Sequence, residues 1–443
     1  MSRKNIKNGA LFIILTFCLI IFYNPLSLIG YVYYLLLGLL FVCFWNYKFL
    51  DEYIKYFAVN AFMATLFIAI QSHVYSDSYG TTSILGSSTD DNYFFSLLAD
   101  KMPINMFIER NFYFEYTSAY TDLIKFLTFH KIEFPIDVIF FNSIVASFLI
   151  IFTGKVVSEF SCDPKSAIMA KTMTMLCPYY LMNGGAIIVR DTLVATLFVI
   201  SLYSVVKKNY IPVFILTLFQ FYIRPGTGVI VTLLLSIYLV FLNINSLKRL
   251  INFSIFFALF TIVLYFIAYS QIESFAIKHS VNLFGREIYE DLNSDFGENR
   301  ILLFILEKPF VFRVFFSFLY LFLYPFFDIA FVKNYKFFDL RTILVSIIYP
   351  IYAIWLNYRV FALIIYRKTF RRSVNFLSVY IMGLVLIGLY SIQTRHKTIV
   401  LPLLYISISM YPNLSGLSNL KRQNLIFLSV FWFLLIFIVG ILK

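Results

Sequence analysis

Charge is what this sequence has least of. Only 13% of its 443 residues are Asp, Glu, Lys or Arg, whereas 61% are apolar or aromatic. Soluble globular domains carry about a quarter charged residues, so a water-soluble reading is excluded. Cysteine is scarce too. Cys18 and Cys43 sit in apolar runs, and Cys162 and Cys177 lie near a basic loop. No CxxC spacing occurs, which excludes a disulfide framework and a thiolate metal site. The four histidines, His73, His130, His279 and His396, are isolated from one another. Without HExxH or any paired spacing, metal-dependent hydrolysis has no ligand set, and no motif implies an organic cofactor. Fixed-period repeats are missing, as are the matched broken helices that transporters with inverted repeats show.

What the chain does have is one apolar run after another. A bilayer core about 30 Å thick takes about 20 such residues per helix, and the runs give about 11–14 spans. The fold class expected is therefore all-α, a polytopic transmembrane helical bundle. Spans are expected at about 8–24, 28–46, 54–72, 136–154, 167–183, 190–206, 209–223, 226–243, 251–270, 342–361, 373–391, 398–414 and 424–441. The first follows Arg3, Lys4 and Lys7 but no small-residue cleavage site follows it, so it reads as a retained anchor. The net charge of +13 is distributed over short connections at Lys48/Lys55, Lys155/Lys165, Lys207/Lys208, Lys248/Arg249, Arg367 to Arg372 and Lys421/Arg422. That distribution fits the excess of Lys and Arg in cytoplasmic loops and excludes nucleic acid as the partner.

Two polar stretches interrupt the pattern, Ser72 to Phe134 and Gln271 to Pro309. Both carry acids at least as often as bases, which places them outside as two large periplasmic loops. The division expected is 1–72 N-terminal spans, 73–135 first loop, 136–270 central bundle, 271–341 second loop and 342–443 C-terminal spans. In the first loop Tyr93, Leu97 and Leu98, and then Tyr116, Tyr120, Leu123, Ile124 and Leu127, recur at helical spacing. They predict amphipathic helices lying at the outer interface. Phe310 to Val332, interrupted by Arg313, Pro325 and Asp328, reads as a re-entrant or interfacial hairpin.

Arg190 and Arg224 carry most of the functional signal. Each sits at the outer end of an apolar run, in Gly184-Gly185-Ala186-Ile187-Ile188-Val189-Arg190-Asp191 and in Ile223-Arg224-Pro225-Gly226-Thr227-Gly228. A charge at that depth costs a few kcal/mol and tends to serve function. A structural pairing of Arg190, with Asp191 or with an acid across the bundle, is the alternative. Arg395, His396 and Lys397 form an outer cationic turn that runs against the positive-inside trend and so calls for an anionic partner, with Lys397 read as a snorkelling anchor. Converging arginines would fork onto the oxygens of a phosphate or pyrophosphate. Asp90 and Asp91 would take the proton of an attacking hydroxyl, or cap the helix that follows. In the second loop Arg286 and Arg300, among acids, would bind a sugar or only solvate the surface, and Arg313 would face the cleft.

This layout resembles the Wzy-type polysaccharide polymerases, within the polytopic lipid-linked-sugar enzymes similar to GT-C glycosyltransferases. The resemblance is carried by Gly184 to Ile230, by Arg395-His396-Lys397 with Pro402, and by Asp90/Asp91 with Tyr93 and Ala99. It implies transfer of a growing glycan from undecaprenyl diphosphate to a new lipid-linked repeat unit, at the periplasmic side of the bacterial inner membrane. It implies that Arg190, Arg224 and Arg395 hold the donor diphosphate while Asp90 or Asp91 activates the acceptor. The partners implied are the lipid-linked glycan donor and acceptor, membrane lipids, a chain-length regulator and a flippase. A transferase using a polyprenyl-phosphate sugar donor, a ligase with another acceptor, and a lipid-linked oligosaccharide flippase share much of this layout and remain alternatives.

Overall fold

The computed structural model describes residues 3–75, 135–185, 190–243, 308–323, 348–367, 370–390, 394–411 and 419–442, with a few single positions from Tyr120 to Leu127 and Ile305. Among the described residues all regular structure is helical. In chain order the helices are α1 (Arg3–Tyr23), α2 (Ser27–Asn46), α3 (Leu50–Tyr75), α4 (Pro135–Phe160), α5 (Pro164–Met175), α6 (Pro178–Gly185) and α7 (Asp191–Val206). There follow α8 (Tyr210–Ile223), α9 (Pro225–Asn243), α10 (Phe310–Leu323), α11 (Tyr349–Ile365), α12 (Arg371–Tyr390), a 3-10 turn at Thr394–Ile399, α13 (Leu401–Ser409) and α14 (Asn419–Leu442). Two helical stretches among the described residues, Ser27–Phe67 and Ile139–Phe160, are long and apolar enough to cross a membrane.

Among the described residues helix positions follow the apolar runs, with breaks at 167–183 and, through the 3-10 turn before α13, at 398–414; the span expected at 251–270 lies outside the described residues. The run at 167–183 is not one helix but two, because Pro178 lacks an N–H and pushes the residue before it out of the helical region. The first of the two starts in the usual way: the Asp163 carboxylate accepts from the Lys165 N–H at 2.9 Å and Pro164 takes the first helical position.

Several of the hydroxyls buried in these helices are satisfied within their own helix. On α4, Ser143, Ser147 and Thr153 donate to the carbonyls one turn back, at 3.1, 2.6 and 2.7 Å. Thr65, Thr174, Ser201 and Thr232 do the same. Such bonds avoid the cost of a buried hydroxyl without a partner. Around them the core is aromatic: Tyr31 of α2 meets Phe57 of α3 and Phe140 of α4 at ring separations of 5.6 and 5.2 Å. Gly38 lets α2 approach α3, since a Cβ there would lie 1.7 Å from the Tyr53 hydroxyl.

The first long loop contributes to this core. Tyr120 and Ile124 are fully buried, the Tyr120 hydroxyl donates to Asn142 Oδ1 at 3.0 Å, and the Tyr33 hydroxyl donates to the Leu127 carbonyl. Tyr120 and Ile124 of the segment expected at the interface thus turn inward, Tyr120 to a polar partner on α4 and Ile124 into the apolar core.

Charged groups collect at two ends. At one, Lys171 pairs with Glu52 at 2.6 Å, Lys207 pairs with Glu159 at 2.7 Å and Lys155 lies 3.7 Å over the Phe49 ring. Asp191 opens α7 and Lys207 follows its last residue. Sixteen residues of α-helix rise about 24 Å, which separates this end from the one described next.

Candidate functional site

The second end is built around the junction of α8 and α9. Arg224 leaves the helix with an extended backbone, φ −160° and ψ 97°, as a residue before proline must. Its carbonyl then starts the next helix, accepting from the Thr227 hydroxyl at 2.8 Å and the Gly228 N–H at 3.0 Å. No loop intervenes. Gly228 makes the tight reversal possible, since a Cβ there would meet the Phe221 ring at 2.8 Å and its Cα at 3.0 Å. The local sequence therefore fixes the backbone from which the Arg224 side chain departs.

That side chain turns into the protein. It is 8% exposed, and its guanidinium donates through Nη1 to Asp191 Oδ1 and through Nη2 to His396 Nε2. Arginine has no acceptor, so His396 Nε2 accepts and the imidazole is the neutral Nδ1–H form. Asp191, 2% exposed, is the first residue of α7, where the positive helix terminus favours a carboxylate. Removing one member of a buried pair of this kind costs about 3–5 kcal/mol, because the other charge is left in the interior.

Arg190, one residue earlier, is half-buried and donates from Nη1 to the Ile223 carbonyl at 3.0 Å. It thereby ties the start of α7 to the end of α8. Lys397 is 4% exposed, and its Nζ donates to the Leu321 carbonyl of α10 at 2.9 Å. The snorkelling anchor expected at Lys397 is thus corrected: Nζ finds a carbonyl inside the bundle. Beside it, the Tyr180 hydroxyl of α6 donates to the Thr398 carbonyl at 2.6 Å.

The structure brings together Arg190, Arg224 and His396 of the expected set and adds Asp191, Lys397 and Tyr180. Arg395 belongs to the same 3-10 turn by its backbone. Arg313 instead turns Nη2 back to the Lys308 carbonyl at 3.2 Å. Asp90, Asp91, Arg286 and Arg300 lie outside the described residues. Asp191 pairs with Arg224 and not with its neighbour Arg190, because adjacent side chains at a helix start point in different directions while the α8–α9 junction faces the start of α7. An acid in the first turn of an otherwise apolar helix was the available signal for Asp191. Nothing in the sequence marks Tyr180 among 33 tyrosines.

Chemically, the cluster holds a buried Asp191–Arg224 ion pair and an imidazole, with Arg190 and Lys397 donating to the Ile223 and Leu321 carbonyls. Among the described residues no group of His, Cys, Asp and Glu could hold a metal ion. The site is thus rich in nitrogen donors, and Arg190 is more exposed than Arg224. No family model, no curated protein and no solved structure matches the chain.

Proposed function

We propose that the chain is a polytopic membrane enzyme that joins lipid-linked oligosaccharide repeat units, with the Arg190–Asp191–Arg224–His396 cluster facing the periplasm. The observation that carries this reading is the meeting of Arg224 with Asp191 and His396, drawn from three distant parts of the chain, beside Arg190. Apolar side chains exposed on α1, α2 and α14, such as Phe22 at 90%, Phe44 at 89% and Phe427 at 76%, support a lipid surround. Lys207, expected inside, lies at the opposite end of α7 from Asp191, which supports this orientation by the charge rule.

In the reaction proposed, an acceptor hydroxyl attacks the anomeric carbon of the donor glycan. The bond from that carbon to the diphosphate oxygen breaks, and undecaprenyl diphosphate leaves. Charge grows on the leaving diphosphate, so pre-placed cations lower the barrier. Arg190 is assigned to the diphosphate directly. Arg224 is assigned to holding His396 and the helix junction in place, since Asp191 already neutralises it. Asp90 or Asp91 is kept as the base that takes the acceptor proton.

One observation favours a second reading. The break between α5 and α6 and the 3-10 turn before α13 meet through Tyr180 and Thr398, and interrupted helices at one level are how many transporters build their substrate sites. Complementation separates the two. In a strain lacking its polymerase but making the matching repeat unit, the wild-type chain should restore a glycan ladder, and Arg190→Ala at equal membrane level should leave single units. Lipid-linked units that stay on the cytoplasmic face without the chain, and cross with it, would make it a flippase.

A further inference from the structure

At the end opposite the cluster the start of α12 borders a cavity of about 410 Å³ lined by Phe160, Ser161, Cys162, Arg371, Arg372 and Met410, with Tyr411. Its two arginines differ from the bases nearby. Lys171 and Lys207 each meet a carboxylate, at 2.6 and 2.7 Å. Arg371 has no hydrogen bond or ion pair among the described residues, and Arg372 makes one long contact, Nη1 to the Phe160 carbonyl at 3.4 Å. Both are exposed at the cavity mouth.

The other polar groups there are already engaged. The Met410 carbonyl accepts from the Ser166 hydroxyl at 3.4 Å, and the Tyr411 carbonyl accepts from Arg359 Nη1 at 3.0 Å. The two acids flanking Phe160 to Cys162 are engaged as well, Glu159 with Lys207 at 2.7 Å and Asp163 as the cap of α5 through the Lys165 N–H. The first intrahelical bond of α12 runs from the Val374 N–H to the Phe370 carbonyl, so the N–H groups of Arg371, Arg372 and Ser373 begin the helix without an intrahelical acceptor. Donors and positive charge therefore exceed acceptors at this mouth. Two guanidinium forks beside a helix start match a tetrahedral oxyanion.

We propose that this cavity binds a phosphate oxyanion, supplied by the headgroup of an anionic phospholipid. The choice of a lipid source rests on the membrane placement given under Proposed function, which puts this end at the cytoplasmic leaflet, where basic pockets between helices take such headgroups. Phe160 and Met410 give the cavity an apolar wall on which an acyl-glycerol portion can lie.

The test uses the full chain purified in detergent, with two readouts. Native mass spectrometry counts retained phosphatidylglycerol against phosphatidylcholine, and the alkylation rate of Cys162, exposed at the cavity wall, reports occupancy without any substitution. The expected result is preferential retention of phosphatidylglycerol and slowed alkylation. Retention should be at least about tenfold weaker in Arg371→Gln/Arg372→Gln, and regained in Arg371→Lys/Arg372→Lys. Slowing by inorganic phosphate in the absence of lipid would support the oxyanion site but assign it to a free anion. Equal retention of both lipids with no slowing by either probe, or undiminished phosphatidylglycerol on the folded glutamine variant, would overturn the proposal. Because neither readout measures glycan transfer, its failure is distinguishable from failure of the polymerase reading.

Discussion

Asp191 and Arg224 are a pair whose loss can be split into structure and function. Asp191→Ala leaves a guanidinium that is 8% exposed without its carboxylate, and we expect a loss of about 3–5 kcal/mol, measured as a lowered thermal unfolding midpoint in detergent. Asp191→Leu combined with Arg224→Met removes both charges at similar volume, and should recover most of that stability while glycan ladders stay absent. Recovery of both would make the pair purely structural. Glu52 offers the contrast: its side chain is 34% exposed beside Lys171, and Glu52→Gln should cost at most about 1 kcal/mol. At this scale the sequence was half legible. Arg190 and Arg224 announce themselves as charges in apolar runs, yet the partner of each depends on which helix ends face one another. His396 was legible only as part of a cationic turn, and its neutral state follows from Arg224 donating to it.

Helices were legible almost everywhere, since an apolar run long enough to form one has few other solutions when backbone groups must be satisfied internally. What the pattern left open was continuity. Pro178 divides one expected helix in two, and the turn at Thr394–Ile399 shortens another before α13. Both departures lie at the cluster, where the 3-10 turn offers the Thr398 carbonyl to Tyr180 and carries Lys397 towards the Leu321 carbonyl of α10. Close packing of helices was also hidden, because hydropathy does not report which glycine faces a neighbour. Gly38 and Gly228 are the two that matter most. Gly38→Ala must displace the buried Tyr53 ring, and Gly228→Ala must press on the Phe221 ring and backbone. Each should cost about 1–3 kcal/mol, and Gly228→Ala should also reduce glycan transfer because it moves Arg224.

Among the described residues Asp191 and Lys207 mark two charged ends about 24 Å apart along α7. The account puts the cluster outside and Lys207 inside. Single cysteines in a cysteine-free background test this: Tyr222→Cys, at an exposed position two residues before Arg224, should react with an impermeant thiol reagent in intact spheroplasts. Lys208→Cys should react only after permeabilisation, and the reverse pattern would invert the topology. Polarity and charge along the chain suggest this arrangement, whereas the proposed reaction rests on a resemblance together with the cluster. The most direct test is therefore reconstitution of the purified chain with undecaprenyl-diphosphate-linked repeat units, following lipid and glycan together. The expected result is glycans of two or more units with one undecaprenyl diphosphate released per linkage, both abolished by Arg190→Ala. Repeat units that remain single while the lipid-linked substrate crosses the bilayer would contradict the account.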